Sequence, residues 1–405
     1  MVDALPLDGL KVIDLATLFA GPLVATTLGD FGADVIKVEH PNGDSLRSLG
    51  ATKDGNALWW KIVGRNKRSI ALDLHDGRGV DILLDLVAEA DVLVENFRPG
   101  QLDTFGATAE RMFARNRGLI ILRTTGFGQT GPYRRRPGYG TLAEAFSGFS
   151  YVTGPPEGPP TLAPFGLADG VAALTGTYAV MIALYERDHH SGRGQEIDVS
   201  LYEPLFTLLG SMPAVFQQLG VVQQPRGNRS VNNAPRNTYK TRDNHWVAVS
   251  TAAPSTFERL MRLVGRPDLA DDPLLKGGGE RVKHADELDA VVSNYTEAHT
   301  LAQILAAFDE VGAAVAPVYD IAQIFEDPQY QERQTIVTVQ DCDLGHLAMA
   351  NVIPRLVRSP GSIRWTGPAL GSSTWKILAE ELGYSEEEIQ SLCDDLVINC
   401  GDDNE

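Results

Sequence analysis

The chain reads as an α/β protein with a parallel sheet covered by helices, and two observations predict it. Short β-rich runs alternate with stretches of helical spacing through the first half of the sequence, the pattern of repeated βα units. With 405 residues the chain is long enough for two domains, or for one large domain with an insertion, and a differently patterned α+β region follows the first.

Leu10–Leu15 is the first expected strand, and the small-residue segment from Gly21 to Gly32 the helix behind it. Ala33–Glu39 is the second strand and Ser69–Leu74 the third. Between Asp81 and Ala90, Ile82, Leu83, Leu86 and Val87 fall at helical spacing; Asp91–Asn96 and Gly118–Arg123 read as strands again. Ligands of such sheets bind beyond the carboxyl ends of the strands. Here those ends are the loops Ala16–Pro22, Glu39–Asp44, Leu72–Asp76, Asn96–Gly100 and Thr124–Gly131. Residues 126–162, rich in Gly and Pro, are expected to be irregular. After Asp169, the residues Val171, Leu174, Tyr178, Met181 and Tyr185 trace one face of a helix that should end near Asp188–Gly192. Gln195–Leu201 is a further strand. The polar stretch Asn228–Asn237 reads as a linker, and Tyr239–Val249 as a hairpin turning at Arg242–Asn244. Helices near 255–264, 285–296 and 300–311 come next, then strand-like composition around 335–358 and a helix, Thr374–Leu382, expected to close the chain.

Lys and Arg number 35 against 53 Asp and Glu, a formal net charge of −18. That balance argues against a general nucleic-acid binder, which needs a basic surface. An anionic small ligand needs only a local basic patch. Met1–Pro6 has neither a basic nor an apolar signal-peptide region, and no run of about 18 apolar residues is evident, so no membrane span is expected. Cys342, Cys393 and Cys400 lack metal-ligand spacing. A reduced, cytoplasmic setting is expected, with these thiols structural or exposed.

Gly126–Gly131 matches G-x-G-x-x-G, but Pro132 and Pro137 break the helix that a dinucleotide fingerprint must open, and the first βα turn, Thr17–Pro22, lacks the glycine pattern. A nicotinamide or flavin site is therefore not expected, whereas a glycine loop that lets a ligand approach the main chain is. Lys61, Arg65, Lys67 and Arg68 form one basic cluster and Arg134–Arg136 another; each suits either phosphate binding or a solvated face. No H-E-x-x-H, C-x-x-C, G-x-S-x-G or phosphate-loop motif occurs, so no metal site is expected.

Asp169 is the most sharply framed acid, set in Pro164-Phe165-Gly166-Leu167-Ala168-Asp169-Gly170 at the start of a long helix. The residues alone leave two roles open. An Asp before a helix is a common N-cap, and a desolvated, positioned carboxylate can act as a nucleophile. Gly166 and Gly170 would let a bulky ligand approach it.

Several separate motifs then carry a resemblance over nearly the whole chain. They are Leu7–Asp14, Ala20-Gly21-Pro22, Gly32–Glu39, Asn66–Ile70, Glu95–Gly100, Gly126–Pro132 and Gly192-Arg193-Gly194-Gln195. With these the sequence resembles the family III CoA-transferases (the CaiB/BaiF family, including formyl-CoA transferase). The resemblance implies a Rossmann-like large domain built from both chain ends, an inserted small α+β domain, and an interlocked dimer. The corresponding division is 1–200 for the N-terminal part of the large domain, 201–228 for a linker, 229–330 for the small domain, and 331–405 for the return. It also implies that Asp169 is the nucleophile, forming an acyl anhydride and then an aspartyl-CoA thioester. Coenzyme A is then a substrate and not a permanently bound cofactor. Its contacts are implied at Leu18, Phe19, His40, Leu72, Asp73, Leu74, His75, Asn96, Phe97, Arg98, Pro137, Gly138, Tyr139 and Gly140.

There are departures from the family pattern. His40 and Thr104 stand where members often carry Arg, and Arg98 stands where some relatives have Gly and can restore a positive charge. The acyl-CoA racemases of the superfamily carry a catalytic His where this chain has Tyr139, so CoA transfer is expected over racemisation. The other alternative is a CoA-binding subunit of a heteromeric transferase. Succinyl-CoA is the expected donor. Arg226, Arg229, Arg236 and Lys240 are candidates to bind the second carboxylate of a dicarboxylic acceptor.

Overall fold

The computed structural model describes residues Ala4–Asn399. The chain forms two compact units, one comprising residues up to 149, 162–215 and from 334 onward, the other 150–161 and 216–333.

The larger unit is built on a seven-stranded sheet. Strands β1 (Lys11–Asp14), β2 (Asp34–Glu39), β3 (Lys67–Leu72), β4 (Val92–Glu95), β5 (Ile120–Thr125) and β6 (Glu196–Ser200) run parallel. A two-residue strand, β7 (Ile398–Asn399), pairs antiparallel with β3, and the order is β7-β3-β2-β1-β4-β5-β6. Helices α1 (Ala20–Asp30), α2 (Gly77–Ala88), α3 (Gly140–Phe146) and α4 (Leu167–Glu186) belong to the same unit.

Alternate strand residues enter opposite cores, as the two-residue repeat of a strand requires. Ile13, Ile36, Ile70, Leu93 and Ile121 pack with Ile82, Leu83 and Leu86 of α2. Val12, Val35, Val92, Ile120 and Leu122 pack with Val24 and Leu28 of α1 and with Ala172, Ala173 and Val180 of α4. Helices on both faces explain why these strands are apolar on both sides. The strand order reverses between β1 and β4, so the loops leaving their carboxyl ends diverge and leave a crevice.

Helix α4 with its following turn, Leu167–Ser191, is apolar and long enough to cross a membrane by composition, with a mean hydropathy of 1.6. The sequence shows no unbroken apolar run there, because scattered Gly, Thr and Tyr interrupt it without lowering the mean. One side of α4 packs on α1, β5 and β6. The other leaves Leu174, Tyr178, Ile182 and Tyr185 more than half exposed.

Three expectations are corrected. The 126–162 region is not wholly irregular, because α3 and a short helix, Phe149–Val152, lie within it. The helical segment from Thr374 does not close the chain; a helix Glu386–Asp394 and β7 come after it. Only Ile389 and Leu392 of that helix are buried, too few to show a period, although Ser385 and Glu388 form a capping box. Finally, Cys393 is disulfide-bonded, where a reduced thiol was expected; spacing alone does not pair cysteines. Cys342 is exposed, and Cys400 lies outside the described residues.

The smaller unit carries an antiparallel sheet of Arg236–Lys240, Trp246–Ser250 and Val315–Pro317, with Trp246–Ser250 in the centre. Its first strand begins inside the stretch read as linker. Lys240 faces Trp246 across the expected hairpin turn. Helices Pro254–Leu263, Ala285–Ala298 and Leu301–Val311 supply Phe257, Leu260, Leu288, Val292, Ile304 and Phe308 to its core. Asp289 gathers the Tyr239 hydroxyl at 2.6 Å, the Asn237 amide at 2.9 Å and the Arg229 guanidinium at 2.8 Å.

Candidate active site

The crevice at the strand-order reversal holds a cavity of about 220 Å³. Its walls are Thr17–Ala20 after β1, Asn96, Arg98 and Pro99 after β4, and Thr124–Gly126 at the end of β5. Arg134 and Arg136–Tyr139 close one side, and Asp169 reaches in from the first turn of α4. A second cavity of about 240 Å³ shares Thr17 and extends past the ends of β2 and β3. It contains His40, Leu72, Leu74, His75, Phe97 and Phe105. His75 meets the Phe105 ring edge-on, with centroids 4.8 Å apart.

The implied contact residues therefore fall in two adjoining spaces. Leu18, Phe19, Asn96, Arg98, Pro137, Gly138 and Tyr139 line the first; His40, Leu72, Leu74, His75 and Phe97 line the second. Asp73 turns to His75, accepting from its amide and its ring Nδ1, each at 2.9 Å. These bonds hold the Asp73 carboxyl below its usual range. The fold also brings His40, Asp73 and His75 within 4.8 Å of one another through their potential ligand atoms, a proximity that sequence spacing did not show.

Asp169 is not the cap of α4. Gly166 occupies that position and, as a glycine, offers no side chain to cap the helix. Asp169 sits three residues in, where the positive end of the helix dipole favours a negative charge. Its Oδ2 lies against the Cα of Gly140, the first residue of α3; a Cβ at position 140 would fall well inside van der Waals contact with that oxygen. Gly166 is the next nearest, at 3.5 Å for a Cβ, whereas Gly170 faces open space and does not frame the carboxylate. Burial pushes the Asp169 carboxyl up to about 6, against the pull of its own backbone N–H, and the nearby Glu144 carboxylate adds to the rise. Glu144, only 2% exposed, accepts from the Ala163 N–H at 2.9 Å. Sequence reasoning missed Glu144, because nothing in its local pattern marks a buried acid on a short helix. Thr124 and Thr125 open a loop that the sequence places at a strand end, and their buried hydroxyls at the cavity have no hydrogen-bond partner among the described residues.

The first basic cluster is neither a phosphate site nor a solvated face. Lys67 bonds Asp14 at 2.7 Å with both side chains buried. Arg65 pairs with Asp30 at 2.6 Å, Arg68 with Asp34 at 2.6 Å and with Glu381, and Lys61 with Asp341 at 3.1 Å and with Asp343. Lys67 thereby ties β3 to β1 and Arg68 ties it to β2, while Lys61 and Arg68 join this stretch to the C-terminal part of the unit. Of the second cluster, Arg134 and Arg136 line the cavity. Among the cations considered for a second carboxylate, Arg229 is taken up by Asp286 at 2.7 Å and Asp289 at 2.8 Å, while Arg236 lines a groove of the smaller unit.

Residues 7–374 match the CoA-transferase family III. The chain belongs to this family. It is 39% identical over 389 residues to the succinyl-CoA–D-citramalate CoA-transferase of Chloroflexus aurantiacus, covering 96% of each chain. It is 41% identical over 393 residues to the beta subunit of that organism's succinyl-CoA–L-malate CoA-transferase, covering 96% of this chain and 97% of the relative. The human succinyl-CoA:glutarate CoA-transferase is 31% identical over 390 residues, with coverages of 96% and 88%. Among solved structures, a CaiB/BaiF family protein from Brucella suis superposes with a TM-score of 0.81 at 32% identity, covering 93% of this chain and 100% of that one. The protein is thus an enzyme, a CoA-transferase that uses CoA thioesters as substrates.

Proposed function

We propose that the enzyme moves coenzyme A from succinyl-CoA to a dicarboxylic or aryl-substituted organic acid, with Asp169 carrying the acyl group. The observation that carries this reading is the setting of Asp169: a carboxylate lining the cavity at the strand-order reversal, pressed against a glycine Cα and desolvated enough to sit at about 6. A carboxylate stripped of water is the more reactive nucleophile.

The carboxylate attacks the thioester carbon, the C–S bond breaks, and CoA leaves as thiolate, giving a mixed anhydride. The thiolate attacks the Asp169 carbonyl of that anhydride; the donor acid departs as carboxylate and an aspartyl-CoA thioester remains. The acceptor carboxylate displaces CoA to form a second anhydride. CoA then attacks the acceptor's carbonyl, and Asp169 is regenerated. Each tetrahedral intermediate carries an oxyanion suited to backbone N–H donors of the Gly126 or Gly138 loops. The bond energy stays in anhydride and thioester throughout, so no nucleotide is consumed.

The relatives' succinyl-CoA chemistry supports the donor. Tyr139 at the cavity wall, where racemases hold a His, supports transfer over racemisation. The exposed apolar side of α4 supports an assembly that covers it, as an interlocked homodimer or as a heteromer like the Chloroflexus alpha and beta subunits. The test is Asp169→Ala, which should reduce transfer to background. Hydroxylamine added during turnover should mark the peptide holding Asp169; transfer without that mark would refute the mechanism.

A further inference from the structure

The wall of the first cavity contains a residue whose backbone conformation is unfavourable. Leu18 has φ = +64°, a left-handed conformation that crowds the Cβ of any L-residue other than glycine. Nothing about the turn itself explains why a leucine adopts it. The explanation lies in the side chains beneath. Asp14 Oδ1 accepts from the Ala16 N–H at 3.2 Å, and Lys37 Nζ donates to the Ala16 carbonyl. Asn96 grips Thr17 twice, accepting from its N–H at 2.9 Å and donating to its carbonyl at 2.7 Å. Asp44 Oδ1 accepts from the Leu18 N–H at 3.4 Å and from the Leu46 N–H at 2.9 Å. Three consecutive residues thus have their main chain held by four side chains from β1, β2 and the loops after β2 and β4.

Asp14, Lys37 and Asp44 are 0%, 1% and 6% exposed, and Lys37 lies 3.3 Å from Asp44 and 3.9 Å from Asp14. Burying such charges is costly, and a mere packing role would be served as well by apolar residues of similar size. Charged groups are retained here where the adjacent main chain is both polar and strained, the pattern expected when strain serves a site.

We propose that Asp44 and Asn96 are positioning residues, which hold Thr17 and Leu18 in the strained turn so that the main chain of residues 17–19 forms a preorganised wall for the coenzyme A thioester. This rests on the reading that the cavity receives that thioester. Without the hold, Leu18 relaxes toward negative φ, the wall moves, and binding has to restore it. The equilibrium for a left-handed leucine implies a loss of roughly ten-fold in affinity. Glycine at position 18 feels almost no such preference.

The experiment is a pair of double-mutant cycles in the full chain. The Kd for CoA is read by calorimetry, and the KM and kcat by transfer from succinyl-CoA. Asp44→Ala should weaken CoA binding and raise KM roughly ten-fold, with kcat changed by less than about three-fold. In the Leu18→Gly background the same substitution should cost about two-fold or less. Asp44→Asn, which keeps the acceptor for the Leu18 N–H, should bind CoA within about three-fold of the unaltered chain. Additive cycles, or equal losses for Asp44→Asn and Asp44→Ala, would overturn the proposal. If Asp44→Ala does not fold, the Asn96→Ala cycle with Leu18→Gly decides by its coupling alone, because it leaves the buried ion pairs intact while any direct contact of Asn96 with the ligand is lost equally in both backgrounds; an additive cycle overturns the proposal. Failure of the unaltered chain to bind CoA would instead remove the assignment of the cavity, and the positioning role with it. The two failures are therefore distinguishable.

Discussion

Replacing Asp169 with Asn should make the protein more stable, although it removes the proposed nucleophile. The side chain keeps its shape and can still accept from its own backbone N–H, but it no longer has a charge to desolvate. The carboxyl is raised from 3.8 to about 6 on folding, chiefly by burial. The folded state therefore disfavours the ionised form. That penalty is absent below the unfolded value of 3.8, grows as the pH rises toward about 6, and is fully present above it. At 1.36 kcal/mol per tenfold change in proton affinity, the gap corresponds to about 3 kcal/mol at most, and partial exposure of the side chain brings the expected gain to about 1–3 kcal/mol. The assay is urea unfolding of both proteins followed by tryptophan fluorescence, at pH 8 and at pH 4.5. The gain should be seen in full at pH 8 and should have mostly disappeared at pH 4.5. No gain at pH 8, or an equal gain at both, would show that the Asp169 carboxylate is not desolvated as described and would remove the basis for its reactivity.

The same shift sets the pH–rate profile: kcat/KM for transfer should be level above about pH 6 and fall about ten-fold for each pH unit below, because only the carboxylate attacks. A flat profile from pH 5 to 8 would contradict it. Gly140→Ala places a methyl against Asp169 Oδ2 and should lower kcat by about 100-fold by displacing the carboxylate; wild-type kcat would refute that contact. Incubation with a 2-methylacyl-CoA in heavy water should give no deuterium at the α-carbon, since Tyr139 stands where a base is needed. Mass spectrometry that detects exchange would point to racemisation.

Much of the fold was legible in the residues because its cause is local. The β-rich runs of the first half became β1 to β6 within a few residues of their expected ends, since a strand buried on both faces must be apolar along its length. The helices of the smaller unit were legible for the related reason that an amphipathic period shows in a single segment. The elements that were missed lack such a pattern: α3 is seven residues long, and β7 is two. They exist because neighbouring segments supply their partners.

The site divides in the same way. The sequence by itself determined that an acid opens a long helix after a Gly/Pro loop, and which loops end the strands. It left open whether Asp169 caps that helix. Only the tertiary structure decided that Gly166 takes the cap position, that Gly140 and Glu144 stand beside the carboxylate, and that the strand order reverses where the cavity lies. The basic cluster at 61–68 shows the limit most clearly. A run of Lys and Arg looks the same whether it faces phosphate, water or buried carboxylates. Its fate depends on Asp14, Asp30 and Asp34, tens of residues before it, and on Asp341, hundreds of residues after it. Desolvation and pairing arise only when chain segments far apart in sequence exclude water together, and that physical event has no local signature.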